Sequence, residues 1–170
     1  LPPTDLPEKS WAVAGREGRG RQTVVKSLYL GDGELEAHNW RLHAKYQLLA
    51  ERETRWEGLH LEGADLVVTA FGSAARIAKT AVRLAREEGR RVGLLRPITL
   101  FPFPAAAFRS LAGSTVLCVE LNAGQMVQDV RLSVAPGTEV AFYGRPPGAG
   151  SLPVPEELLE QIRRHCEVRR

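Results

Sequence analysis

The sequence predicts an α/β fold, a three-layer α/β/α sandwich on a mostly parallel sheet. Three observations carry this. Residues 64–170 alternate short apolar runs with amphipathic stretches, the rhythm of strand–helix–strand crossovers. The run from Leu66 to Phe71 is nearly continuous in apolar residues, as in a strand covered on both faces. Glycine and proline punctuate the boundaries, with Gly72, Gly89, Pro104, Gly124 and Pro155 each standing where one pattern ends and another starts.

Taken in order, residues 1–33 read as irregular. Three prolines fall in the first seven positions, and Gly15, Gly18 and Gly20 alternate with charges, which reads as a loop. The segment Gln22 to Leu30 fits a short strand. Residues 34–57 contain no proline or glycine and read as one helix, with Leu35, Leu42, Leu49 and Trp56 recurring every seven residues and Tyr46 beside them. Asn39 and Glu53 interrupt that stripe, so a long coiled coil is not expected. The stripe is expected to pack on the body of the chain, on a partner, or on both. The organisation is therefore a 1–62 extension, carrying the helix and acting as a linker from a missing first domain, followed by a 63–170 α/β domain.

Within the second part, Asp65 to Phe71 is the first strand. Gly72 turns the chain, Ser73 is the expected N-cap, and a helix runs to about Glu88 with Gly89 as its C-terminal glycine. Arg91 to Leu95 is a strand. Pro104 opens a short helix to about Leu111. Thr115 to Leu121 is a third buried strand, and Gly124 starts a helix to about Val134. Glu139 to Tyr143 is a fourth strand, and Pro155 opens a final helix to about His165.

Composition excludes several classes. With 44% apolar and 25% charged residues, the 170-residue chain is neither low-complexity nor collagenous. No apolar run is long enough to span a bilayer, and the proline-rich start is unlike a secretory signal. The net charge of +3 leans on Arg163, Arg164, Arg169 and Arg170 near the end. With no aromatic residues interleaved, they read as a solvated tail and not as a nucleic-acid surface. Two unpatterned cysteines, Cys118 and Cys166, predict a reducing, cytoplasmic setting. Met126 is the only methionine, which suggests a piece of a longer protein.

Familiar catalytic patterns are missing. The Gly15–Gly20 run is not in dinucleotide order, and Gly144–Ser151 lacks the phosphate-loop lysine. His38, His43, His60 and His165 form no ligand spacing. Two corners stand out. At Phe71-Gly72-Ser73-Ala74 a strand turns into a helix whose free amides suit an anion, or a plain N-cap. At Glu120-Leu-Asn122-Ala-Gly124-Gln125 a carboxylate and two amide side chains sit where a buried strand ends, suited either to a site or to a subunit contact. Glu120 is expected to be partly buried, with the amides of Gly124 and Gln125 as donors and with Asn122 and Gln125 turned outward. Between the corners, Arg96 to Pro104 holds three prolines and two phenylalanines, a stiff connector suited to packing or an interface.

These residues carry a family resemblance. ADLVVTAFGSAARIAKTAVRLAREEGRRVGLLRPITLFPFP (64–104), VELNAGQMVQDVRLSV (119–134) and FYGRPPG (142–148) resemble the alpha subunit of 2-oxoacid:ferredoxin oxidoreductases of the 2-oxoisovalerate and 2-oxoglutarate types. SLYLGDGELEAHNWRLHAKYQLLAERETRWE (27–57) is similar to the segment that joins this subunit's first domain to the next. The resemblance implies a fold like the C-terminal domain of transketolase. It implies a complex that decarboxylates a 2-oxoacid on thiamine diphosphate with magnesium, passes electrons through iron–sulfur clusters to ferredoxin, and forms an acyl-coenzyme A. It implies beta, gamma and delta subunits as partners, with a homodimer as a further arrangement. No catalytic, cofactor-binding or metal residue is expected in this chain. Gly72, Ser73, Arg96, Glu120, Asn122, Gln125 and Asp129 are expected at loops and at subunit or domain contacts. A stand-alone nucleotide- or anion-binding domain is the alternative.

Overall fold

The computed structural model describes residues 5, 6, 8, 9, 11, 12, 15, 18, 20, 24–148 and 152–166. The chain divides into two compact units, Leu1–Ala44 and Lys45–Arg170. In the first unit, residues 24–30 form no strand, which corrects the short strand expected over 22–30; Gln22 and Thr23 lie outside the described residues. Helix α1 (Glu34–Arg52) begins in this unit, where Tyr29 stacks on His38 with ring centroids 4.5 Å apart.

The second unit holds β1 (Trp56–Leu59), β2 (Leu66–Thr69), α2 (Gly72–Glu87), β3 (Val92–Pro97), α3 (Ala105–Arg109), β4 (Thr115–Glu120), α4 (Met126–Ser133), β5 (Val140–Gly144) and α5 (Pro155–His165). The strands form one five-stranded sheet in the order β1-β3-β2-β4-β5. All neighbours are parallel except β1, which runs antiparallel to β3 at the edge. The mostly parallel sheet is as the sequence predicts; the extra edge strand is not. The helix read over 34–57 stops at Arg52, and Trp56 belongs to β1. Pairing to β3 supplies the long-range hydrogen bonds that take the chain out of the helix at this point.

The period-two geometry of strands sends alternate side chains to opposite faces. Leu66, Val68, Leu94, Leu117 and Val119 face α2 and α5, whereas Val67, Leu95, Val116 and Cys118 face α3 and α4. These are the two cores of a three-layer sandwich. On α2, Ala74, Ala78, Ala81 and Ala85 fall at helical spacing and present a small-residue face that Leu158 and Ile162 of α5 cover. Gly89 at φ +83° closes α2, with its amide donating to Arg86 O and the Arg90 amide to Ala85 O. Ser73 does not cap the helix. Phe71 occupies the N-cap position with no side-chain bond, and Ser73 lies one residue inside.

The tail expected to be solvated is partly docked. Arg163 pairs with Glu88 at the end of α2 and with Glu160. The Arg163 and Arg90 guanidinium groups hold the Glu88 carboxyl down at about 2. Cys166 is buried against the α2/α5 core and its carbonyl accepts from Arg90. Arg169 and Arg170 lie outside the described residues.

Gly93 sits where β1 turns past β3. A Cβ there would lie 2.6 Å from the His60 carbonyl oxygen, a backbone atom that cannot swing aside. Gly93→Ala is therefore expected to destabilise the chain by about 1–3 kcal/mol in urea unfolding.

Candidate functional site

The sheet delivers two polar places at the carboxyl ends of its strands. The first is the corner after β4. Glu120 is the last residue of that strand and is 1% exposed. Its carboxylate accepts from the amides of Val127 at 2.8 Å, Met126 at 2.9 Å and Gln125 at 3.2 Å, and from Asn122 Nδ2 at 3.0 Å. Helix α4 has no cap from its own N-cap residue, Gln125. The preceding strand supplies the cap instead, by placing a full negative charge on the free amides of the first turn. Burial by itself would raise the Glu120 pKa, but the Val127, Met126, Asn122 and Gln125 hydrogen bonds together hold it below the usual carboxylate range.

The expected donors shift along by a residue or two. Gln125 donates as expected, but the Gly124 amide goes to Asn122 Oδ1 at 2.7 Å, and Met126 and Val127 complete the set. Glu120 is fully rather than partly buried, and Asn122 turns its amide inward to it. Gln125 and Asp129 are exposed. Cys118, one pleat back, points its Sγ at Glu120 Oε1 at 3.7 Å. Burial, and then the neighbouring Glu120 charge, push that thiol far up, so it stays protonated and unreactive.

The second place is a cleft of about 730 Å³ between the β1/β3 edge and the start of α2. Glu57, Gly72, Ser73, Arg76, Lys79 and Arg96 contribute its polar lining. Arg96 sits opposite Glu57 in the β1/β3 register, and its Nη1 donates to Glu57 Oε2 at 3.1 Å. Its Nε is sealed from solvent and has no hydrogen-bond partner. Gly72 adopts φ +56°, a left-handed backbone that lets the chain swing from β2 into α2.

The seven sequence-predicted residues thus fall into two groups. Gly72, Ser73 and Arg96 meet in the cleft; Glu120, Asn122 and Gln125 meet at the α4 corner, with Asp129 in the first turn of that helix. Sequence reasoning missed Glu57, Arg76 and Lys79. Glu57 was hidden by the overlong helix, but Arg76 and Lys79 were legible as cations three apart on the first turns of α2.

The connector from Arg96 to Pro104 turns its prolines inward. Pro97, Pro102 and Pro104 are buried, while Ile98, Leu100 and Phe101 are exposed at 48%, 43% and 69%.

Residues 64–167 match the family model for pyruvate:ferredoxin oxidoreductase core domain II. The chain belongs to this family. The match begins just before β2 and runs past α5, so the core domain II unit takes in both polar places except for the β1 residues of the cleft. The chain is 40% identical to the ketoisovalerate oxidoreductase subunit VorB of Methanothermobacter thermautotrophicus over 159 residues, covering 92% of this chain and 44% of that protein. It is 38% identical over 108 residues to the 2-oxoglutarate synthase subunit KorA of Methanocaldococcus jannaschii, covering 64% of this chain and 29% of that one. A solved 2-oxoglutarate:ferredoxin oxidoreductase from Magnetococcus marinus shares the fold, with a TM-score of 0.66 at 21% identity over 81% of this chain and 24% of its own. The chain thus spans less than half the length of these curated relatives.

Core domain II as it stands here does not fit an iron–sulfur cluster. Four thiolates hold such a cluster, and the sequence contains two cysteines, both buried and on opposite sides of the sheet. Among the described residues, no group of three His, Cys, Asp or Glu is placed to hold a metal ion, and no helix is long and apolar enough to cross a membrane.

Proposed function

We propose that this chain is the C-terminal part of the alpha subunit of a 2-oxoacid:ferredoxin oxidoreductase, and that it serves that enzyme's assembly rather than its chemistry. The whole enzyme converts a 2-oxoacid and coenzyme A to acyl-coenzyme A and carbon dioxide with reduction of ferredoxin. Thiamine diphosphate, magnesium and iron–sulfur clusters belong to other parts of that complex. The relatives named as ketoisovalerate oxidoreductase and 2-oxoglutarate synthase subunits support the reaction class. The partners are the beta, gamma and delta subunits and, through them, ferredoxin, with self-association as a further arrangement and the cytoplasm as the setting. Gln125, Asp129 and the exposed residues of the 98–101 connector are the proposed contact surface, and Glu120 acts on it indirectly by fixing the corner.

The observation that carries the assembly role is α1. None of its 19 residues is buried. Leu35 and Trp40 in the first unit are 52% and 65% exposed, and Tyr46 and Leu48 in the second are 47% and 43% exposed. Leu35 and Tyr46 fall on one side of the helix and Trp40 and Leu48 on the other, and exposed apolar side chains of this size mark a surface for association. Leu35→Ala and Leu48→Ala are therefore expected to change the stability of the chain alone by less than about 0.5 kcal/mol. The same variants are expected to reduce recovery of the other subunits when the chain, fused to the rest of its subunit, is used to pull them down. A large loss of stability in the isolated chain would place these side chains inside it and remove this support. The stand-alone anion-binding reading is favoured by the basic cleft alone.

A further inference from the structure

We propose that the cleft between the β1/β3 edge and α2 binds the multiply charged phosphate group of a small soluble ligand. The inference is independent of the subunit role and is read on the chain alone. Three cations, Arg76, Lys79 and Arg96, line one concavity in which Glu57 is the only acidic residue among the described ones. Glu57 engages Arg96 through Nη1 alone, which leaves the buried Arg96 Nε without an acceptor. A buried N–H with no partner is destabilising, and the rest of the Arg96 side chain, 43% exposed, lines the cleft, where it can donate to an added anion. Arg76 and Lys79 make no ion pair with any described residue.

The charge is also localised. Farther along α2, Arg83 is paired with Glu87 at 2.7 Å and Arg86 is tied to the Val92 carbonyl at 3.1 Å, so the cations free to turn to a ligand, Arg76 and Lys79, lie at the cleft end of the helix. This favours a compact anion over an acidic polypeptide lying along α2. Three cations against one carboxylate leave an excess that a monocarboxylate cannot neutralise and a phosphate dianion or phosphoanhydride can. The volume of about 730 Å³ suits a ligand of nucleotide size. The amides at the uncapped start of α2 add donors, and apart from the chain neighbours of Gly72 and the backbone of its own helix no protein atom lies within 4 Å of the Gly72 Cβ position.

The test is a titration of the isotope-labelled 170-residue chain with inorganic pyrophosphate and, separately, with adenosine diphosphate, followed by amide NMR. Saturable shifts centred on Gly72 and Ser73 are expected for both. Tighter binding of the diphosphate nucleotide assigns the remaining cleft to the nucleoside, and equal binding assigns the site to the anion alone; either supports the proposal. Arg96→Gln and Arg76→Gln are each expected to weaken binding about tenfold, while Arg83→Gln leaves it within about twofold. Lys79→Gln, at an exposed position, keeps the test valid if Arg96→Gln disturbs the fold by circular dichroism. Three results overturn the proposal: no saturation with either ligand, equal affinity in all variants, or displacement of pyrophosphate by a lower concentration of an oligoglutamate peptide.

Discussion

Glu120→Gln is expected to lower the stability of the chain by about 2–4 kcal/mol. The carboxylate is 1% exposed and accepts from three consecutive backbone amides and one side-chain amide. Glutamine turns one acceptor oxygen into an NH₂ group that meets those amides donor to donor. It also removes the negative charge from the start of α4, where the helix dipole favours it. The effect carries a pH signature. Because the folded Glu120 titrates below its ordinary value of 4.5, its stabilising contribution is complete above that value and is lost as the pH falls through the depressed pKa. Urea unfolding of parent and variant is therefore expected to show a wide gap at neutral pH that narrows in acid. A gap under about 1 kcal/mol at neutral pH would mean that the single glutamine oxygen satisfies those amides and that the negative charge contributes little.

Phe108→Ala is expected to cost about 3–5 kcal/mol. Phe108 is fully buried and is the largest side chain in the core between the sheet and α3/α4. It stacks on Phe103 with ring centroids 5.0 Å apart and planes 14° from parallel. Helix α3 is only five residues long, so it has few other contacts with which to close the void. Leu132→Ala is the matched control, since Leu132 is 85% exposed and its loss is expected to fall within about 0.5 kcal/mol. Thermal or urea unfolding of both variants checks the difference.

Much of the fold was legible because local signals agree with the tertiary structure. Pro155 and His165 bound the last helix as the sequence predicts, since Pro at the first position and cations in the last turn act locally. Gly89 likewise marks the end of α2 through its positive φ. The missed strand is different in kind. Trp56 continues the seven-residue spacing of Leu35, Leu42 and Leu49, so periodicity extends the helix; what ends it is pairing of 56–59 with 94–97, which no local pattern encodes. The same gap hid half of the basic cleft, because Arg96 reads as the start of a proline connector until Glu57 is placed beside it. The α4 corner was legible in outline, as a carboxylate between an apolar strand and a glycine turn. Which amides it would hold was not, because the helix begins at Met126 rather than at Gly124.

Co-expression tests whether this core domain II chain joins the subunits of a 2-oxoacid:ferredoxin oxidoreductase, as proposed. The chain, fused to the remainder of its subunit, is produced with the other subunits in parent form and with Leu35→Ala and Leu48→Ala together, and the purified material is assayed for 2-oxoacid-dependent dye reduction. The parent complex is expected to co-purify and to reduce the dye. The double variant is expected to lose co-purification, while any complex recovered keeps its turnover per assembled unit. Normal assembly with abolished turnover in that variant would contradict the proposal, because the surface assigned to assembly would then belong to the chemistry.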